Sequence, residues 1–274
     1  MSVVDIKYNT NDLQTSSNVA KTIITKDILE KHIGEKVINL KQDTIRDGFD
    51  VLDVQYANKI IALDGWLISN TASALRTWVD EFNGYLQPNE KNLDVETYGG
   101  SGAYRRYVCS CRSLSIPEEH WQTTQVPYSC EFLCEPFGKA TSTTSETLGT
   151  NKTDSWTADA FTLVGSYKAE PTITFTIDDG DNLTTIKLEN ETNDDWIQVT
   201  KTALPSDVFV DADQLIIDCN NETVQILRSG TYTDVDFTGI FPQLDVGSNT
   251  LEITLTKSGA VQVDASLTYY PTYL

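Results

Sequence analysis

FTGIFPQLDVGSNTLEIT, residues 237–254, decides the fold. It holds a short apolar run, a Phe-Pro, an Asp, and then the turn residues Val246-Gly247-Ser248-Asn249. Strict alternation follows. Leu251, Ile253 and Leu255 fall on one face of a strand and point into a core together. Phe241 and Leu244, just before the turn, are placed to plug the end of a β-sandwich.

The pattern recurs upstream. PTITFTI (171–177), LTTIKLEN (183–190), DWIQVTK (195–201), QLIIDC (214–219), ETVQILR (222–228) and AVQVDASLTYY (260–270) are short alternating runs. Strands at a spacing of roughly 8–12 residues, parted by Asp, Asn and Gly, predict a sandwich. DDGDN (178–182) reads as an acidic hairpin turn between the first two runs.

The N-terminal half differs by one helix. Leu75, Trp78, Val79, Phe82 and Leu86 recur at helical spacing, Asn70 or Thr71 caps the start, and Pro88 ends it. The spacing predicts one helix near 71–87, packed on a sheet. VVDIKY, FDVLDVQY, KIIALDGWLI, NLDVETYGG, SGAYRRYVCSCRSLSI and PYSCEFLCEPF read as its strands, with Ala57-Asn58 as a turn. TKDILEKHIGEK (25–36) has the residues of a short helix and VINLKQDTI (37–45) those of a strand; the region as a whole is read as an extended arm or hairpin. GKATSTTSETLGTNKTDS (138–155) is nearly free of apolar residues, a linker or long loop. The expected organisation is therefore mainly β. An N-terminal β domain with one helix and an arm spans 1–140, a linker spans 141–156, and a β-sandwich spans 157–274.

The chain has 274 residues and a formal net charge of −20. The acid is uneven: residues 1–150 hold 20 Asp and Glu against 14 Lys and Arg, and residues 151–274 hold 20 against 6. Such a surface argues against nucleic-acid binding, which needs clustered cations on the phosphates. No run approaches the roughly 18 apolar residues of a membrane helix. The start, MSVVDIKYNTND, lacks the charged and apolar regions of a secretory signal, so a cytoplasmic site of synthesis is expected.

Chemistry has few candidates. His32 and His120 stand alone, outside any metal or triad spacing. No nucleophile elbow, phosphate loop or dinucleotide fingerprint occurs. Asp178, Asp179, Asp181 and Asn182 offer calcium-type oxygens, but the closing Glu of an EF-hand is missing. Arg105-Arg106 is a basic pair, read as strand-edge charge in preference to an anion clamp. Cys109, Cys111, Cys130 and Cys134 alternate on two strands. Core packing as small apolar side chains is preferred there, with zinc or a disulfide left open. No catalytic, cofactor or metal residue is assigned.

The closing 45 residues carry a resemblance. Gly239, Phe241, Pro242, Leu244, Gly247, Asn249 and Leu251, followed by Tyr270, Pro271 and Leu274, match a Gly, Phe-Pro, Leu, Gly-x-Asn run and an aromatic-Pro tail. YRRYVCSC and PYSCEFLCEPF match an aromatic-Arg strand and a Cys-containing strand. DADQLIIDC matches a Gly-Asp-x-Leu-x-Ile-Asp segment, with Ala212 where Gly is usual. Over 45–274 the chain resembles the distal tail protein (Dit) family of long-tailed, siphovirus-like bacteriophages.

The resemblance implies a homo-hexameric ring at the distal end of the tail tube. Its N-terminal domain builds the ring, and its galectin-like, jelly-roll C-terminal sandwich projects outward. Implied partners are the tail tube protein, the tail hub or tail-associated protein and receptor-binding proteins. The implied location is the tail tip of a virion assembled in the host cytoplasm, with an acidic channel for DNA. A non-enzymatic structural role follows, with no cofactor. Two other readings stand beside it. One is a carbohydrate-binding module that uses Trp196, Tyr232 and Tyr269 on a host saccharide; the other is a glycan-cleaving enzyme built from paired acids.

Overall fold

In a computed structural model the described residues are 5–13, 20–28, 36–42, 49–96, 103–117 and 124–274. The chain is mainly β and divides into two compact units, 1–141 with 274, and 142–273.

The N-terminal unit is built on an antiparallel sheet. Its strands run in the order Asn11–Asp12, Ile6–Tyr8, Lys91–Glu96, Tyr104–Ser115, Gln125–Cys134, Lys59–Ser69 and Ala20–Ile28. Alternation sets its faces: Ile61, Leu63 and Leu67 on one strand and Val126, Cys130 and Phe132 on the next are buried on the same side. The helix Ala72–Leu86 covers that side and is capped at Thr71, whose Oγ1 accepts from Ala74 N at 3.1 Å. Its buried stripe is Leu75, Trp78, Val79, Phe82 and Leu86, the five positions expected from spacing. The Phe82 ring lies 4.9 Å from Tyr128, and burial of each such side chain contributes roughly 1.5–3 kcal/mol.

Two N-terminal expectations change. Residues 25–28, read within a short helix, belong to the strand Ala20–Ile28, which pairs with Lys59–Ser69. The β-branched run Thr22-Ile23-Ile24-Thr25 favours extended backbone over a helix. Residues 29–35 of the helix reading, including His32, and also His120, lie outside the described residues, and Lys36 opens the strand Lys36–Gln42. Ala57-Asn58 joins strands of different sheets: Phe49–Tyr56 pairs with Lys36–Gln42, and Lys59–Ser69 with Gln125–Cys134.

The C-terminal unit is two sheets around one core. The larger runs Thr144–Lys152, Gln262–Tyr269, Thr172–Asp179, Gln214–Asp218, Thr223–Arg228, Thr231–Asp234. The smaller runs Trp156–Thr157, Leu251–Lys257, Leu183–Asn190, Asp195–Thr200, Thr238–Gly239. Ile173, Phe175, Ile177 and Val263 enter the core from one side, and Leu188, Ile197, Leu251 and Ile253 from the other. Leu244 is buried and Phe241 packs against this core, so both plug it as read from sequence.

Two expectations change here. DDGDN does not close a hairpin, because the strands on its two sides belong to opposite sheets. Ile177 and Leu183 must both reach the shared core, so the chain crosses from one sheet to the other at Gly180. The Gly180 N–H bonds Asp211 Oδ1, and a Cβ there would lie 3.0 Å from the Phe209 backbone. Residues 141–156 are no free linker: Thr144–Lys152 pairs with Gln262–Tyr269 as the edge of the larger sheet. A strand at an edge needs few apolar residues, and Leu148 is the buried one in this segment.

The turn in 245–249 is clamped by Asn249, which is fully buried. Its Oδ1 accepts from Asp245 N at 2.9 Å, and its Nδ2 donates to Asp245 O at 2.8 Å and to Gly247 O at 3.2 Å. Replacement by Ala removes the partners of the Asp245 N–H and C=O, while Gly247 O keeps the Leu163 N–H at 2.8 Å. Asn249→Ala is expected to destabilise the C-terminal unit by about 2–3 kcal/mol in urea unfolding. Ala212 sits at φ +66°, a left-handed conformation that favours glycine. Ala212→Gly is expected to raise the stability of the same unit by about 1 kcal/mol in the same assay.

Candidate interaction surface

The strand Thr231–Asp234 ends the larger sheet of the C-terminal unit, and Thr238–Gly239 ends the smaller one. Residues 231–240 thus run along the sandwich edge from one sheet to the other. Val235 is the one buried residue of these ten. The entry to this edge is a two-residue turn, Ser229-Gly230, with φ +50° and +82°, the sign that tight hairpins require. With Arg228 opposite Thr231, the antiparallel alternation turns the backbone N–H and C=O of Tyr232 and Asp234 away from the sheet.

On the smaller sheet, Trp196 lies beside Ile240, whose N–H donates to Trp196 O at 2.8 Å. Both point outward, since Ile197, the next residue along, is buried in the core. Trp196 is 36% exposed, Ile240 57% and Phe237 38%. The Phe237 ring meets Phe241 edge-on at 4.8 Å and through it the core. The Lys187 ammonium sits 5.3 Å from the Trp196 ring centre and pairs with Glu189. Gly239 presses its backbone on Trp196, where any Cβ would clash with the Trp196 carbonyl.

The sequence candidates separate in space. Trp196 lies on the next-to-last strand of the smaller sheet and Tyr232 on the edge strand of the larger one, and Tyr269 is buried, its hydroxyl accepting from Val164 N at 3.1 Å. These three side chains form no common sugar-stacking platform. Asp178 and Asp181 are exposed, and Asn182 donates to Ala260 O at 3.1 Å. Among the described residues no group of three or more His, Cys, Asp or Glu is placed to hold a metal ion. Sequence reading missed Phe237 and Ile240 as surface groups. The available signal was large apolar residues in a Thr-, Asp- and Gly-rich stretch with no alternation.

The basic pair is not edge charge. Tyr104–Ser115 is an interior strand, and Arg106 makes two bonds to Asp94 on its neighbour, at 2.7 and 2.8 Å. An interior strand sets side chains of two neighbours side by side, so the guanidinium meets a carboxylate there. A second Arg holds the loop 201–213. Arg228 bonds the buried Asp213 and the carbonyls of Pro205 and Val208, and Asp213 holds the guanidinium pKa above its usual value.

The cysteines divide. Cys109 and Cys134 face each other in register and are joined as a disulfide, their Cα atoms 4.1 Å apart. The preferred core-packing reading is thereby corrected for these two, because direct cross-strand opposition brings two thiols within bonding reach. It holds for Cys130, which is buried and free, while Cys111 is half-buried; Cys219, outside that reading, is also buried and free. Burial pushes the Cys130, Cys219 and Cys111 thiols up, keeping them protonated at neutral pH.

Residues 164–273 match the family described as siphovirus-type tail component, C-terminal domain. By structure the chain is similar to the Dit protein of phage SPP1, with a TM-score of 0.69 and 12% identity over 100% of each chain. That protein is described as a paradigm of the hub adsorption apparatus in phages infecting Gram-positive bacteria. The chain is also similar to a chain of the phage P2 baseplate in its activated conformation with calcium. There the TM-score is 0.51 and the identity 11%, over 98% of each chain. At such identities the likeness concerns the fold. No curated protein matches by sequence.

The thiol partition is directly measurable. Titration of the unfolded chain is expected to give three free thiols before reduction and five after it, and the native chain at pH 8 is expected to resist alkylation at Cys130 and Cys219.

Proposed function

We propose that this chain, which belongs through residues 164–273 to the distal tail protein family of siphovirus-like phages and is a structural phage-tail component, closes with five further copies into a ring at the distal end of the tail tube. The observation that carries this reading is a tail-component C-terminal domain inside a chain whose whole length has the fold of a tail hub protein.

In this reading the N-terminal unit, with the helix Ala72–Leu86 packed on its sheet, builds the ring. A head-to-tail interface repeated around an axis closes when the rotation divides the circle. The C-terminal sandwich projects from the ring as a platform for receptor-binding proteins. The ring joins the tube protein to the hub and leaves a central channel for DNA. The net charge of −20 supports passage without adhesion, because a duplex is held where cations replace its counterions. The role is mechanical and the location is the tail tip, in virions put together in the host cytoplasm.

The saccharide-binding reading has less support. Of its three aromatics one is buried, and the Trp196 ring already carries the Lys187 ammonium.

Light scattering at micromolar concentration is expected to give six times the protomer mass of 30.5 kDa, with rings in negative-stain images. A chain that stays monomeric even when mixed with its tail tube protein overturns the ring.

A further inference from the structure

We infer that the open edge of the C-terminal sandwich, residues 231–240, is the docking surface for a basic, extended segment of a different tail protein. The inference rests on the tail reading above and adds the surface and the chemistry of what covers it.

Edge strands invite pairing, and folded chains usually blunt them with a covering loop, a bulge or charge. Here both sheets end at the same edge, and the stretch from Thr231 to Ile240 lies open apart from Val235. Tyr232 is 59% exposed, and its backbone N–H and C=O, with those of Asp234, face outward. An added strand would find hydrogen-bonding groups along the edge and exposed apolar side chains at Phe237 and Ile240.

Charge selects the occupant. Asp234 and Asp236 are exposed within the strip, and the half of the chain that holds it carries 20 acids against 6 bases. A second copy on this edge would bring four carboxylates together, and like charges across an interface oppose association. A segment with Lys or Arg beside Asp234 and Asp236 meets them with opposite sign. Asp234 Oδ1 already accepts from Gln225 Nε2 at 2.8 Å, which holds the exposed carboxylate beside the edge. A sugar is disfavoured, since Lys187 and the Gly239 backbone already lie against the Trp196 ring.

The test uses intact tails beside the free full-length chain. Carbodiimide treatment is expected to join Asp234 or Asp236 to a lysine of another tail protein. The Tyr232 and Asp234 amides are expected to exchange hydrogen roughly tenfold or more slowly in tails than in the free chain. The double variant Asp234→Lys, Asp236→Lys changes exposed side chains and is expected to remain folded and to enter tails that lack the cross-linked partner. Absence of the chain from purified tails overturns the tail reading, and this inference with it. A chain present in tails whose edge is cross-linked only to its own copies, or exchanges as fast as in the free chain, overturns the inference alone. So do complete tails built with the double variant.

Discussion

The C-terminal sandwich depends on the turn held by Asn249. Strand faces alternate with a period of two, so a slip of one residue would carry Leu251, Ile253 and Leu255 out of the core together. Asn249 prevents the slip by bonding both backbone groups of Asp245 from a fully buried position. A second buried amide holds the same segment: Asn190 donates to Gln243 O at 2.7 Å. Polar groups enclosed in an apolar setting are costly unless fully bonded, so these two amides admit few alternatives to the observed chain path. The quoted run is thereby placed between two fixed points, with Leu244 and Phe241 closing the end of the core.

The N-terminal unit solves its packing by other means. One sheet face is covered by a single helix, and the fit rests on a stripe of five apolar side chains against alternating strand positions. Charge and sulfur then tie neighbouring strands. Arg106 meets Asp94 across one strand pair, and Cys109 joins Cys134 across the next. Tyr8 reaches from a third strand to the carbonyl of Cys109 at 3.1 Å, so the disulfide lies within a bonded layer of the sheet.

Local pattern in the sequence carried the faces of elements and not their partners. The helical stripe from Leu75 to Leu86 and the inward set Leu251, Ile253 and Leu255 were legible because burial repeats with the period of the element itself. Pairing was not legible. DDGDN has the composition of a hairpin turn, yet the need to place Ile177 and Leu183 on opposite walls of one core sends the chain between sheets. Thr144–Lys152 looked like a linker because an edge strand can hold its place through backbone bonds alone. Cys109 and Cys134 looked like core residues because alternation puts them on the right face, and their direct opposition is a fact of register. Ala212 was legible as a departure from Gly, and its positive φ gives that departure a physical meaning. Of the interaction surface, Trp196 and Tyr232 were singled out as aromatics, but Phe237 and Ile240 became surface groups only once the strip 231–240 was seen to cross between two sheet edges.

That strip also bears on how the free chain stays in solution. An exposed apolar edge promotes self-association when its surroundings are neutral. Here the same ten residues hold Asp234 and Asp236, and the half of the chain around them has a net charge of −14 from its 20 acids and 6 bases. Repulsion between copies reaches over about 8–10 Å at moderate ionic strength, well beyond the contact distance of the apolar groups. Two copies therefore meet repulsion before their apolar edges meet each other. A surface built in this way excludes its own copies without being covered, and leaves the backbone groups of Tyr232 and Asp234 available to a partner of opposite charge.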